Sequence, residues 1–231
     1  MAIPTNPIDK LIARVKLNLG RGTGNTTINE YCIEWYNRAQ KDICKRENFY
    51  FMYTSTELSF VAGDDEESLP TYFKGADSVW IKDSNGKFTE LLPMDDMDYR
   101  RFYSDDTSVG VRGQPAHYIV GASTLKVRPY PDQSYTVVLV YWAYLANLLE
   151  SNSNTNELLN NYDELLEART TYWGFRSLQQ WTSAKEWNDI YMEKLHDLVV
   201  ENADRILPDE LILHARPDVK ASTLDAFAGR Q

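Results

Sequence analysis

Three histidines, His117, His196 and His214, are the side chains best suited to move a proton or bind a metal near neutral pH. None lies in a His-Glu-x-x-His pattern, and none is spaced against Cys32 or Cys44 as a zinc ligand would be. They read as structural or exposed residues. Gly20-Arg21-Gly22-Thr23-Gly24 has the glycine density of a phosphate-cradling loop. It lacks the Lys-Ser/Thr pair and follows a helical pattern instead of a strand, so it reads as a helix–helix connector. Asp83-Ser84-Asn85-Gly86 begins like a calcium loop, but the third acidic ligand and the distant Glu are missing. Asn85-Gly86 is the preferred pair for a two-residue hairpin turn. The many carboxylates could supply a glycosidase acid and base, yet proximity in sequence does not set two of them across a cleft. No Gly-x-Ser-x-Gly elbow occurs. Asn25-Thr26-Thr27 has the form of a glycosylation acceptor. It is expected to be idle, because the start of the chain lacks the charged and apolar regions of a secretory signal. No catalytic residue, cofactor or metal is expected.

The unusual feature is aromatic content: 13% of residues, with 15 Tyr and 6 Trp. Trp35, Trp80, Trp142, Trp173, Trp181 and Trp187 are spread over every segment. Core packing explains a tryptophan most simply. Interface anchoring competes with it, because Trp and Tyr dominate binding hot spots. With no catalytic constellation, this chain reads as a binder.

The 231 residues suffice for one or two domains with a substantial core, and 43% hydrophobic with 25% charged is an ordinary globular composition. The net charge is −10, which argues against tight wrapping of nucleic acid. Residues 1–48 carry eight basic and five acidic residues, a net of +3; residues 49–115 carry −7 and residues 116–231 carry −6. The acid concentrates in Asp64-Asp65-Glu66-Glu67, in Asp95, Asp96 and Asp98, and in Asp105-Asp106, which read as solvated loops and faces. No apolar run approaches ~20 residues, so no membrane span is expected. Cys32 and Cys44 lie twelve residues apart on one helical pattern, about 18 Å at ~1.5 Å per residue, too far for a disulfide. These signs together suggest a soluble protein of a reducing, intracellular compartment.

The elements follow from periodicity. Asn6-Pro7-Ile8-Asp9 is a helix start, Ile8, Leu11, Ile12, Val15 and Leu19 share one face, and Gly20 stops the helix. Thr27 and Glu30 form a capping box for a second helix to about Glu47, with Ile28, Tyr31, Cys32, Trp35, Ala39 and Ile43 on one face. From Phe49 to Val61 the pattern is that of a strand, and residues 64–67 are a loop. Residues 78–82 and 87–92 flank the Asn85-Gly86 turn. Residues 94–103 read as a short helix or irregular crossing. Residues 116–120 and 124–128 pair around Gly121-Ala122-Ser123, with a turn at Pro129, Pro131 and Asp132. Residues 135–144 read as a central strand covered on both faces. After the polar linker 151–156, residues 157–181 form one helix or two. Ser183 and Glu186 cap a last helix with Trp187, Ile190, Tyr191, Leu195, Leu198 and Val199 on one face.

Helices, strands and helices in that order predict an α+β chain, with N- and C-terminal helices (1–48 and 151–207) packed as a helical bundle and an antiparallel β domain (49–150) inserted between them. Residues 208–231 are a C-terminal arm.

This order of segments resembles the head-to-tail adaptor (connector) proteins of tailed bacteriophages, the group that includes tail tubular protein A of short-tailed phages. The resemblance rests on residues 28–43, the aromatic exit Asn48-Phe49-Tyr50-Phe51, Leu69-Pro70-Thr71-Tyr72-Phe73-Lys74, and Leu125-Lys126-Val127-Arg128-Pro129-Tyr130-Pro131-Asp132. It also rests on Val140-Tyr141-Trp142-Ala143-Tyr144-Leu145 and a helical pair ending in Trp187-Asn188-Asp189-Ile190-Tyr191. It implies a structural virion protein of the neck, assembled in the host bacterial cytoplasm as a homo-oligomeric ring, typically of twelve copies. The ring sits below the portal protein, docks a tail nozzle or tail-hub protein, and lets DNA through its lumen without specific binding. The linker at 151–156 departs from the shorter members. A carbohydrate-binding or glycan-hydrolysing tail component is the alternative.

Within such a ring, adjacent copies meet through unlike surfaces. Arg38, Lys41, Asp42, Lys45, Arg46 and Glu186 flank the apolar stripes and are the expected inter-subunit residues. Trp35 and Trp187 are expected in the core between N- and C-terminal helices. Leu211, Ile212, Leu213 and Phe227 are the expected portal-binding anchors of the arm, because side chains of this size gain up to ~1.5–3 kcal/mol each on full burial.

Overall fold

The computed structural model describes residues 6–22, 27–82, 86–95, 97–98, 101, 112–148 and 156–206. Among them the chain is α+β, with five α-helices and a large, mostly antiparallel sheet. It divides into two compact units: residues up to Phe51 and from Leu148 onward form one, and Met52–Asn147 form the other.

The first unit is helical. Helix α1 (Pro7–Asn18) begins where the sequence places it, with the Asn6 side chain accepting from the Ile8 N–H at 3.1 Å and Pro7 in the first turn. It ends on Gly20, whose φ of +66° is the left-handed conformation a glycine adopts without strain. There the Gly20 and Arg21 N–H groups bond the carbonyls of Leu17 and Lys16, the paired closure of a Schellman motif. Helix α2 (Thr27–Arg46) buries Cys32, Trp35, Tyr36, Ala39, Gln40, Ile43 and Cys44. Tyr31, expected on that face, is exposed. Helix α3 (Glu157–Asn161) is capped by Asn156, which accepts from the Leu159 N–H at 2.9 Å. Helices α4 (Asp163–Ser177) and α5 (Trp181–Ile206) follow, and α4 contacts α1, α2 and α5. Gly174 makes the close approach possible: a Cβ there would lie 2.8 Å from Leu19 Cδ1 and 3.2 Å from Trp35 Cζ3.

The expected capping box at Ser183 is corrected. Helix α5 already starts at Trp181, and the Ala184 N–H bonds the Gln180 carbonyl at 3.0 Å, so Ser183 lies inside the first turn. Its inward stripe is Ala184, Tyr191, Leu195, Leu198 and Asn202, while Trp187 and Val199 are half-buried and Ile190 is exposed. A helix packed on one main neighbour buries a narrower stripe than its apolar residues span.

Two asparagines hold the segments where the chain leaves and rejoins this unit. Asn202 accepts from the Tyr50 N–H at 2.8 Å and donates to the Asn48 carbonyl at 3.1 Å. Asn37 accepts from the Leu148 N–H at 2.8 Å and donates to the Leu148 carbonyl at 2.9 Å. A carboxamide satisfies one backbone donor and one acceptor at once, and buried backbone groups need such partners.

In the second unit the strands are β1 (Tyr53–Phe60), β2 (Glu66–Ser68), β3 (Phe73–Lys82), β4 (Phe88–Pro93), β5 (Arg112–Gly113), β6 (His117–Val120), β7 (Thr124–Arg128), β8 (Tyr130–Pro131) and β9 (Tyr135–Ala143). Seven of them form one sheet in the order β1-β9-β3-β4-β6-β7-β2, and β5 pairs with β8. The pairings are antiparallel except β4–β6 and β5–β8. Phe60, Val79, Ile81, Leu91, Tyr118, Leu125, Val127, Val137, Leu139 and Tyr141 make the core.

Two details differ from the sequence reading, at the acidic run and at β9. The acidic run 64–67 is not all loop: Glu66 starts β2, opposite Lys126 of β7. The β3–β4 hairpin is present, its described pairs running from Val79↔Leu91 to Lys82↔Phe88. Gly86 has φ +78°, and Asn85 lies outside the described residues. Strand β9 is paired on both edges, but only Val137, Leu139 and Tyr141 are buried; Val138, Val140 and Trp142 on the other face are half-buried. The expected crossing at 94–103 and the Thr27 cap fall mostly or wholly outside the described residues.

Candidate assembly surface

Glu34, Arg38, Lys41 and Lys45 recur at steps of four, three and four on α2, so they share one helical face. At ~100° per residue that face lies opposite Cys32, Ala39 and Ile43, and all four side chains are exposed. On α5 the corresponding outward face carries Glu186, Asp189, Glu193 and Asp197, again all exposed. The helical unit therefore shows a mainly basic face on α2 and a mainly acidic one on α5. Arg46 is exposed at the end of α2.

Asp42, the sixth residue expected between subunits, is turned inward. Its Oδ2 accepts from Arg169 Nε at 3.0 Å, from Arg169 Nη2 at 2.8 Å and from Trp173 Nε1 at 3.0 Å. Arg169, only 9% exposed, donates its remaining terminal nitrogen to Asn188 Oδ1 at 3.0 Å. Its guanidinium carbon lies 4.4 Å from the ring centre of Tyr172 and 4.5 Å from that of Tyr191. One planar cation thus ties α2 and α5 to α4. Sequence reasoning missed this cluster. The available signal was an arginine between Ala168 and Thr170 on a helix whose other inward residues are Leu165, Leu166 and Phe175.

The aromatic residues divide by environment. Trp35 is buried at 8% exposure, Trp80, Trp142, Trp173 and Trp187 are half-buried, and Trp181 is 61% exposed. The placement of Trp187 corrects the expectation of a core residue.

The residues weighed for chemistry do not converge. His117 is half-buried on β6, His196 is exposed on α5, and His214 lies outside the described residues. Among the described residues no group of three or more His, Cys, Asp or Glu could hold a metal. Neither Cys32 nor Cys44 is in a disulfide and both are buried, and burial pushes the Cys32 thiol up to about 11, which leaves Cys32 a packing group. In the acidic run, Asp65 is ion-paired with the buried Arg128, and Glu66 Oε2 lies 3.1 Å from Lys126 Nζ. Hydrogen bonds from Thr124 and Lys126 hold the Glu66 carboxyl below its ordinary value. No helix of the described residues is long and apolar enough to cross a membrane. Leu211, Ile212, Leu213 and Phe227 lie outside the described residues.

The family model described as SU10 adaptor protein matches residues 7–209. No curated protein matches the chain.

Proposed function

The chain belongs to the SU10 adaptor family, a family of structural bacteriophage adaptors, and from that membership we propose that it forms a head-to-tail ring below the portal, extends the DNA channel and docks the tail. In this reading the N- and C-terminal helices are a bundle that makes the ring body, and residues 49–150 are the domain facing the next tail component. Twelve copies, the usual number implied by the resemblance, close the ring. Residues 208–231 are the arm that reaches the portal, with Leu211, Ile212, Leu213 and Phe227 as anchors. A net charge of −10 per copy suits a lumen that DNA crosses without sticking.

The observation that carries the ring is the charge segregation between two outward helix faces. A closed ring needs unlike surfaces that meet head to tail. The basic face with Arg38, Lys41 and Lys45, flanked by Arg46, suits the acidic face that begins at Glu186 on the next copy. Negative-stain images of the chain mixed with portal complexes test the whole reading: a ring bound to the portal is expected, and no bound density overturns it.

Two variants test its parts. Reversing both charges in Lys41→Glu with Lys45→Glu should weaken ring formation by about tenfold at low salt, since exposed pairs contribute up to ~1 kcal/mol each. The difference should fade as salt rises, and circular dichroism should not change. Unchanged assembly at low salt would remove this pairing. Deleting residues 209–231 should leave a folded protomer that no longer binds portal complexes in a pull-down; undiminished binding would refute the arm as the attachment device.

A further inference from the structure

We infer that Trp181, with Arg176 beside it, is the anchor by which one copy of this chain grips the outward face of α5 on the next copy. The inference rests on the ring reading and goes further, because it names where the binding energy sits. Trp181 opens α5 with 61% of its surface exposed. It stands at one end of an alternating row that runs from α2 across α4. Arg38 lies 3.7 Å over the Trp173 ring, and Arg176 lies 5.5 Å from Trp173 and 5.4 Å from Trp181. Arg176 also donates to the Tyr172 hydroxyl at 2.9 Å. Tyr172, Arg176, Trp181, Ala184, Lys185 and Asn188 line a shallow cleft beside this row.

The cations of the row are held by rings, not by carboxylates. Among the described residues Arg38, Arg176 and Lys185 make no ion pair. Arg38 over Trp173 and Arg176 on the Tyr172 hydroxyl are exposed guanidinium groups that lie against rings, and a guanidinium takes a carboxylate through two parallel hydrogen bonds. The surface that fits is therefore a row of carboxylates with apolar side chains among them. The outward face of α5 supplies it: Glu186, Asp189, Glu193 and Asp197, with Ile190 and Val200 exposed alongside. The two surfaces are different parts of the same chain, so joining them is head to tail and can close a ring. Arg38 belongs to the same α2 face as Lys41 and Lys45, so the row is the aromatic end of the basic face already described. A central Trp with Arg beside it is the composition in which a few residues dominate an interface.

The test uses the full chain, with self-association measured by sedimentation, alone and on portal complexes. Trp181→Ala should weaken self-association by about 30-fold, the equivalent of a hot-spot loss of ~2 kcal/mol. Its melting temperature should not change, since the side chain is exposed in the free protomer. Trp181→Phe, which keeps a ring in place, should recover most of the loss. Equal self-association of wild type and Trp181→Ala would overturn the anchor and leave the ring. Normal self-association with lost portal binding would also overturn it, by assigning the patch to the portal. A wild-type chain that never self-associates, even on portal complexes, would overturn the ring reading and the anchor with it.

Discussion

Arg169→Met is expected to lower the stability of the helical unit by about 3–5 kcal/mol, the usual penalty for breaking a buried pair from one side. The reason is geometric. Asp42 accepts three hydrogen bonds, two of them from Arg169, and the methionine would leave this carboxylate with Trp173 alone. Asn188 would lose its donor as well. Methionine keeps an unbranched apolar chain in place of the stem but loses the guanidinium that lies against the Tyr172 and Tyr191 rings, so the loss reports charge, hydrogen bonding and ring contact more than volume. The melting temperature should fall by roughly 10 °C or more. Arg169→Met combined with Asp42→Leu should recover part of the loss, because the orphaned charge is then gone. Chemical denaturation of wild type, Arg169→Met, Asp42→Leu and the double variant checks this; a loss below about 1 kcal/mol for Arg169→Met would show that the cluster adds no stability.

Trp35→Ala is expected to destabilise by about 3–5 kcal/mol, the range for removing a large aromatic from a packed core. Trp35 is buried, and its ring edge lies against the position where Gly174 has no side chain. The closeness that required a glycine on α4 makes the site unable to collapse around a smaller residue. Trp187→Ala, on the half-buried flank of α5, should cost clearly less. Melting curves of the two variants separate the cases. A Trp35→Ala protein melting within a degree of wild type would mean that the ring lies against solvent or a partner.

Much of the helical unit is legible in sequence because its signals are local. Asn6-Pro7 and Gly20 each act through a backbone group within a few residues, and α1 starts and stops as those residues require. The three-and-four spacing on α2 correctly marks Cys32, Trp35, Ala39 and Ile43 as inward. The start of α5 is not legible in the same way, because Ser183 and Glu186 match a capping pattern that also fits inside a first turn. Hairpin pairing is legible because two β-rich runs flank the Asn85-Gly86 turn pair. The β2 strand was hidden because its residues are acidic, and only Lys126 and Arg128, some sixty residues away, make a paired acid of a solvated one.

The candidate surface was half legible for the same reason. Exposed charges such as Lys41 and Lys45 follow from helical spacing alone. Asp42 stands among them in sequence, and its inward turn depends on an arginine 127 residues further along. Family resemblance from segment order and the match over residues 7–209 agree on an adaptor.

The paired asparagines have a mechanical meaning. Any tension carried along the backbone from residues 52–147 must enter the helical unit at two points, near Asn48–Tyr50 and at Leu148. At each point a carboxamide from a long helix grips the backbone with two hydrogen bonds, so both must yield together before that backbone segment peels away. The helix bearing Asn37 and the helix bearing Asn202 are different, so a pull is divided between α2 and α5 instead of concentrating at one hinge.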